Sequence, residues 1–272
     1  VRLWSLQNYR KMVRKIILKL NKSSHASVAP PEKSTHFGYT EVTEDKKTSM
    51  VRDVFSSVAS HYDLMNDLMS VGIHRLWKMD LIRAINPVIG CNIVDVGGGT
   101  GDISLGILKK RECHVTVCDI NEKMVYAGRD KAINKGVLNA PEWICSDAAA
   151  LPFPECYADV YVTAFCLRNV TRLEDVLIEA RRILKPGGHF LCLEFSKVNL
   201  RLLDALYGLY SFQVLPFLGQ IIAGDREAYQ YLVESIRRFP NQETFSEMIF
   251  KAGLNQVSYR NLSGGIAAIH SA

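Results

Sequence analysis

Glycines at alternate positions after an aspartate form the most informative short stretch of the sequence. The residues in this pattern are Asp95, Gly97, Gly99 and Gly101, with Thr100 between the last two. Glycine lets the backbone turn sharply and approach a ligand closely, and a helix starting next would offer free N–H groups. The stretch therefore predicts a ligand-binding loop, although any tight turn between a strand and a helix can use glycine.

Two later acidic residues could bind the same ligand. Asp119 ends a strand-like run, and Asp147, with Ala148 beside it, follows another. A carboxylate at the end of a parallel strand can accept hydrogen bonds from ribose hydroxyls, and an acid next to a backbone N–H can bind the edge of adenine. Each acid alone fits a helix N-cap at least as well. Together with the glycine loop, they favour a nucleoside-binding site.

The body of the chain alternates short apolar runs with longer amphipathic ones. This pattern predicts parallel strands with helices on both faces, an α/β doubly wound sheet whose ligands bind at the carboxyl ends of the strands. The predicted strands are 92–96, 114–118, 158–164 and 189–194, and the predicted helices are 104–110, 122–135 and 173–184.

The details of the glycine loop separate two ligand classes. Asp102 stands where the G-x-G-x-x-G loop of nicotinamide and flavin enzymes has its third glycine. The pattern acid-x-G-x-G-x-G instead resembles the S-adenosylmethionine-binding loop of class I methyltransferases. On this reading the glycines make room for the methionine part of the ligand.

Net charge is concentrated at the amino terminus. The 272 residues include 33 Lys and Arg and 28 Asp and Glu, of which ten basic and four acidic residues lie in 1–50. Up to Lys22 the chain is amphipathic and free of acids, and a Ser-rich stretch follows, as in a mitochondrial transit peptide. A solvated basic tail is the alternative. We expect transit peptide and disordered linker over 1–45, a folded domain over 46–272, and no nucleic-acid partner, because the body is neutral.

Cysteine and histidine spacing predicts neither a disulfide framework nor a metal site. The seven cysteines form no C-x-x-C pair, and the seven histidines show no paired ligand spacing. We therefore expect buried free thiols and no metal.

Several longer motifs carry a specific resemblance. They are the segments 54–63, 65–67, 72–78, 167–171, 184–188, 193–196, 222–225, 229–232 and 235–240. On these motifs, from about Val51 to Ala272, the chain resembles the ubiquinone/menaquinone-biosynthesis C-methyltransferases. The resemblance implies a class I S-adenosylmethionine-dependent methyltransferase fold, with S-adenosylmethionine as cofactor and a polyprenyl benzoquinol as substrate.

The same resemblance suggests roles for individual residues. The implied cofactor contacts are Thr100, Asp119, Asp147 and Ala148, with Tyr62 closing over the methionine end. For catalysis we expect Arg168 at the cleft as an electrostatic clamp on a phenolate and Asn169 to orient a hydroxyl or a water. Asp225 is the first candidate base and His61 the second. The alternatives are a salt bridge from Arg168 to a helix and a helix cap for Asp225.

An uncharged stretch, residues 205–224, interrupts the alternating pattern. It is long enough to span a bilayer, but Pro216, three glycines and two glutamines argue against a spanning helix. We predict an apolar lid, inserted at about 197–240, that covers the quinol and guides its tail. The resemblance further implies peripheral membrane contact at the matrix side of the mitochondrial inner membrane and a complex with other ubiquinone-biosynthesis enzymes, and it leaves a homodimer open.

Two other functions remain possible on sequence grounds. The first is a methyltransferase for another small aromatic or for demethylmenaquinol, since the cofactor half would be shared. The second is a non-catalytic scaffold subunit of a quinone-biosynthesis complex.

Overall fold

The computed structural model describes residues 34–58, 66–67, 70–137, 139–198, 207–217, 220 and 226–272. A hairpin followed by a helix comes first in this part of the chain. These elements are β1 (Ser34–Phe37), β2 (Thr40–Thr43) and α1 (Glu44–Val58). Residues 34–45 are therefore structured, whereas the predicted linker extends to residue 45. Phe37 stacks on Tyr231 with ring centroids 3.9 Å apart, so the contact that orders this segment lies far away in sequence.

Seven strands form the main sheet. They are β3 (Asn92–Val96), β4 (His114–Asp119), β5 (Glu142–Cys145), β6 (Ala158–Ala164), β7 (Leu184–Phe195), β8 (Ser258–Leu262) and β9 (Ala267–Ser271). Their order is β5-β4-β3-β6-β7-β9-β8, and β9 alone runs opposite to the other six strands. The predicted doubly wound, mostly parallel sheet is confirmed.

Helices cover both faces of this sheet. They are α2 (His74–Ile85), α3 (Asp102–Leu108), α4 (Glu122–Asn134), α5 (Leu173–Ile183), α6 (Arg226–Arg238) and α7 (Gln242–Lys251). Successive strand residues join different core clusters: Ile93 belongs to the cluster that includes residues of α2, α3 and α6, and Val94 to the one that includes residues of α5 and α7. This alternation explains why the central strands read as continuous apolar runs.

Local sequence signals set several helix boundaries. The side chain of Asn121 accepts hydrogen bonds from the amides of Lys123 and Met124 at the start of α4, and Asn241 caps α7 in the same way. These caps satisfy amide groups that the first turn of a helix leaves free.

The strand order reverses beside β3. The chain continues from β3 to β4 on one side, while β6 lies on the other side of β3. The loops after β3 and β6 therefore diverge and leave a crevice at the carboxyl ends of these strands, which is where open α/β sheets bind ligands.

The uncharged stretch within the predicted lid is helical where it is described. Residues 207–217 form a helix that contains a π-helical turn at Tyr210–Val214. Residues 205–206, 218–219 and 221–224 of the uncharged stretch lie outside the described residues. Among the helices that the structure describes, none is both long and apolar enough to cross a membrane.

The cysteines are free, but most are not buried as predicted. Cys118 and Cys192 are buried, whereas Cys145 and Cys156 are exposed and the other three are half-buried. The prediction fails because several cysteines lie at strand ends, where the apolar run leaves the core.

Candidate active site

The glycine loop follows β3 and is shaped by its own packing. Gly97, Gly99 and Gly101 all have positive φ angles, of 64°, 55° and 75°. A Cβ on Gly97 would overlap the sulfur of Cys166, and one on Gly101 would overlap the Trp143 ring. The glycines are therefore required first by backbone conformation and by contacts within the protein. The prediction was that the glycines make room for a ligand, and these two contacts do not show that.

A cavity of about 430 Å³ opens at the carboxyl ends of β3, β4 and β6. Six residues that the sequence singles out line this cavity: Gly97, Gly99, Asp119, Asp147, Ala148 and Asn169. Helix α1 lines it too, through Thr48, Val51 and Phe55. The structure thus brings together six of the ten predicted site residues that it describes.

Asp119 is positioned to accept hydrogen bonds from a ligand in this cavity. Its Oδ2 accepts the amide of Gly99 at 3.0 Å, and its Oδ1 accepts the amide of Asn121 at 2.8 Å. Removal from bulk water raises the pKa of Asp119 to about 6, although both amides oppose the shift. Each carboxylate oxygen has a further lone pair, so the fixed group can bind the two hydroxyls of a ribose.

Asp95 is buried directly beneath the loop. Its Oδ2 accepts the hydroxyl of Ser104 at 2.6 Å, while its Oδ1 has no hydrogen-bond partner among the described residues. Burial raises the pKa of Asp95 to about 6. An unpartnered buried carboxylate oxygen costs free energy, so a donor on a ligand would stabilise it.

Thr100 faces a smaller space beside the main cavity. That space is also lined by Asp95, Lys78 and Asp102. Asp102 accepts hydrogen bonds from Lys78 at 2.8 Å and from Lys131 at 2.7 Å, and despite burial these charges hold the pKa of Asp102 below its usual range. The predicted cofactor contact of Thr100 is thus separated from the large cavity in the structure.

Asp147 and Ala148 lie in the loop after β5. Ala148 is half-buried at the wall of the cavity, and Asp147 is exposed. The Oδ1 of Asp147 accepts the amide of Ala149 at 2.9 Å, which holds the turn. Asp147 can therefore order the loop and still offer its second oxygen to a ligand.

Arg168 does not line the cavity as a free clamp, contrary to the expected position. It lies in the turn Leu167–Asn169, with a fully buried side chain. Its guanidinium bonds both carboxylate oxygens of Glu194, at 2.7 and 3.2 Å, and donates to the carbonyl oxygen of Phe165 at 2.7 Å. The alternative of a salt bridge is correct in kind, because a buried guanidinium needs a fixed anion, but the carboxylate that the structure shows lies in strand β7 and not in a helix.

Asn169 does reach the cavity and is held by two neighbours. Its Oδ1 accepts the hydroxyl of Tyr231 at 3.1 Å, and its Nδ2 donates to the Phe165 carbonyl at 3.4 Å. Phe165 has a φ of 58°, which is rare for an aromatic residue. The carbonyl bonds from Arg168 and Asn169 thus stabilise a strained turn at the end of β6.

Glu194 and Tyr231 are site residues that spacing could not reveal. Both fall within the motifs at 193–196 and 229–232, yet a single sequence does not indicate their partners. Three predicted residues, His61, Tyr62 and Asp225, lie outside the described residues. Within the described ranges, no group of three or more His, Cys, Asp or Glu side chains could hold a metal ion.

The cavity fits the nucleoside and amino-acid parts of S-adenosylmethionine. Asp119 offers acceptors for ribose hydroxyls, and Ala148 lines the same cavity. Asp95, whose Oδ1 has no partner among the described residues, lines the smaller neighbouring space instead. Solved structures share the fold. A chain from the complex of the Haloferax volcanii Trm112 methyltransferase activator with a methyltransferase has a TM-score of 0.59 at 15% identity, over 81% of this chain and 96% of that one. A SAM dependent methyltransferase from Aquifex aeolicus has a TM-score of 0.52 at 17% identity, over 71% and 87%. Fold and site together define a class I S-adenosylmethionine-dependent methyltransferase.

Sequence comparison narrows the class. A family model for the ubiE/COQ5 methyltransferase family matches residues 40–272, and the chain belongs to that family. The ubiquinone/menaquinone biosynthesis C-methyltransferase UbiE of Cereibacter sphaeroides is 52% identical over 239 residues, covering 88% of this chain and 96% of the relative. The mitochondrial 2-methoxy-6-polyprenyl-1,4-benzoquinol methylase of Homo sapiens is 47% identical over 272 residues, covering 87% and 83%. The chain is thus an enzyme whose methyl donor is S-adenosylmethionine.

Proposed function

We propose that the protein methylates a ring carbon of 2-methoxy-6-polyprenyl-1,4-benzoquinol in ubiquinone biosynthesis. The observation that carries this proposal is 47% identity to the human enzyme of that name across most of both chains. A cofactor cavity that Asn169 borders directly is consistent with a small ring substrate bound next to the methyl donor.

The reaction requires that the ring carbon be aligned with the methyl group and that a hydroxyl proton and a ring proton be removed. When bound, S-adenosylmethionine supplies an already activated methyl group. Loss of a ring hydroxyl proton would place phenolate charge on the ring carbon. That carbon would bond to the methyl group as the methyl–sulfur bond breaks, and loss of the ring proton would then restore the aromatic ring. Asp225 and His61 remain the candidate bases, Asp225 first. The protein otherwise contributes orientation and exclusion of water.

Asn169 is our choice for the residue that contacts the substrate. The hydroxyl of Tyr231 binds its Oδ1 and so fixes the orientation of the amide, whose Nδ2 lies by the Phe165 carbonyl. A fixed amide can orient a ring hydroxyl or a water. Arg168 acts through this turn: its charge is balanced by Glu194, and its guanidinium holds the Phe165 carbonyl. We therefore propose Arg168 as a positioning residue.

The lid region supports a lipid-tailed substrate. Leu209, Phe212 and Phe217 are 53%, 43% and 61% exposed in the helix over 207–217. An exposed apolar surface of this kind suits a polyprenyl tail or a membrane. We propose peripheral contact with the matrix side of the mitochondrial inner membrane, residues 1–45 as the region that carries the mitochondrial address, and other ubiquinone-biosynthesis enzymes as partners. A homodimer is left open.

A direct assay tests the proposed reaction. The full chain is incubated with S-adenosylmethionine and chemically reduced 2-methoxy-6-polyprenyl-1,4-benzoquinol, and the quinones are analysed by mass spectrometry. We expect a product one methyl group heavier together with S-adenosylhomocysteine. If product forms from demethylmenaquinol or another small aromatic but not from the benzoquinol, the protein is a methyltransferase for that other substrate. Cofactor binding without any product would favour a scaffold subunit.

A further inference from the structure

Lys47 is a buried cation that has no carboxylate partner among the described residues. Only 8% of its surface is exposed, and the hydrogen bond that the structure shows for its ammonium goes to the carbonyl oxygen of Val170 at 2.9 Å. Burial and, secondarily, the charge of Arg238 lower the pKa of Lys47. Buried lysines are normally paired, because leaving water disfavours the charged form.

The ammonium of Lys47 lies beside a cleft of about 200 Å³, separate from the cofactor cavity. The cleft lies between the hairpin, α1, the turn after β6 and the end of α6. Its basic residues are His36, Lys47, Arg168 and Arg238, and no Asp or Glu is among the described residues that line it. Of these four, only Arg168 has an acidic partner in the described part of the chain, Glu194.

We propose that this cleft binds a phosphate-type oxyanion. The ammonium of Lys47 supplies a buried point charge, while the guanidinium of Arg238, at the exposed rim, can bind two oxygens of one phosphate. Thr35 and Thr171 also line the cleft, as does Ser235, whose hydroxyl donates to the carbonyl oxygen of Leu232. A group with two negative charges spread over several acceptor oxygens matches this set of donors. The source of the phosphate is either a free ion or a lipid headgroup, which the test distinguishes.

The position of the cleft gives the bound anion a structural role. Val170 and Thr171 border both the cleft and the cofactor cavity. Helix α1 carries Lys47 on one side and Thr48, at the cofactor cavity, on the other. An anion that neutralises Lys47 would therefore hold α1 against the turn that carries Asn169.

Phosphate binding to the full chain provides the test. Thermal unfolding and calorimetric titration are measured with inorganic phosphate, against sodium chloride at equal ionic strength. We expect a saturable rise in melting temperature with phosphate. Lys47→Met should abolish the rise, and Lys46→Met, which removes an exposed neighbouring charge, should retain it. Because Lys47→Met could alter the docking of α1, Arg238→Gln is a second variant, expected to weaken phosphate binding at least tenfold.

Vesicles identify the source of the phosphate group. Co-sedimentation compares phosphatidic acid with phosphatidylcholine vesicles, for the wild type, Lys46→Met, Lys47→Met and Arg238→Gln. Loss of phosphatidic acid binding in Arg238→Gln would indicate a lipid headgroup, and saturable binding of inorganic phosphate alone would indicate the free ion. The proposal is wrong if neither probe binds, or if Lys47→Met and Arg238→Gln bind both probes as Lys46→Met does.

Discussion

The buried pair of Arg168 and Glu194 allows a sharp distinction between a positioning role and direct catalysis. Both side chains are at most 1% exposed, and the guanidinium also holds the Phe165 carbonyl. Arg168→Met leaves a buried carboxylate without its cation, which should cost about 3–5 kcal/mol of unfolding free energy. For a domain of this size that corresponds to a fall in melting temperature of roughly 6–20 °C.

Removing both charges should be less harmful than removing one. The double variant Arg168→Met, Glu194→Leu buries no charge and loses mainly the donor to the Phe165 carbonyl, at about 1–3 kcal/mol. Urea denaturation of the wild type, both single variants and the double variant gives the coupling energy, which we expect to exceed about 2 kcal/mol.

The pH dependence of the single variant supplies an internal control. Burial already raises the pKa of Glu194 despite the charge of Arg168, and Arg168→Met would raise it further. A carboxyl with a raised folded-state pKa contributes stability at low pH that is lost as the pH rises. Arg168→Met should therefore be closer to wild-type stability at pH 5 than at pH 8.

Turnover completes the test. At a temperature where all variants are folded, the double variant should bind S-adenosylhomocysteine within a few-fold of the wild type. It should also retain more turnover than Arg168→Met. If Arg168→Met instead costs under about 1 kcal/mol, shows no coupling to Glu194 and still abolishes turnover, Arg168 is a direct catalytic group and our reasoning is refuted.

Four further predictions concern the cofactor and substrate cavity. Asp119→Asn should weaken S-adenosylhomocysteine binding at least tenfold by calorimetry, because an amide cannot accept both backbone N–H groups and the ribose hydroxyls; an unchanged Kd would exclude Asp119 from the site. The pKa of Asp119 is raised to about 6, and its ionised form is the better acceptor, so the affinity of the wild type for the ligand should fall as the pH drops below 6. The stability of the ligand-free protein has the opposite dependence, because the contribution of this carboxyl is lost as the pH rises through 6. Gly97→Ala should lower the melting temperature, because its Cβ meets Cys166 and its φ is positive; Gly90→Ala, with the same sign of φ but open space, is the matched control. Tyr231→Phe should reduce turnover by more than it changes cofactor affinity, and equal losses would show that Tyr231 serves the cofactor pocket instead.

The pattern of apolar and polar residues predicted the boundaries of the central strands and helices to within a few residues. The expected strands 92–96 and 158–164 match β3 and β6, and the expected helix 122–135 matches α4 within one residue. Strand β7 is longer than expected, because it begins at Leu184 and runs through a segment rich in glycine and proline that reads as a turn. The amino-terminal hairpin was missed since its strands are four residues long and mostly polar.

The amino-acid sequence by itself determined which loops meet at the carboxyl edge of the sheet, where we place the cofactor. Apolar runs buried on both faces require parallel strands with helices on either side, and parallel strands bring their carboxyl ends, and hence Gly97 and Asp119, to one edge. This inference needs only neighbouring residues. Only the tertiary structure decided the partners of individual polar side chains: Arg168 with Glu194, Asn169 with Tyr231, 62 positions away, and Lys47 with the Val170 carbonyl, 123 positions away. A buried polar group forms hydrogen bonds with the groups that packing brings within about 3 Å of it. The spacing of residues in the sequence does not predict which groups these are.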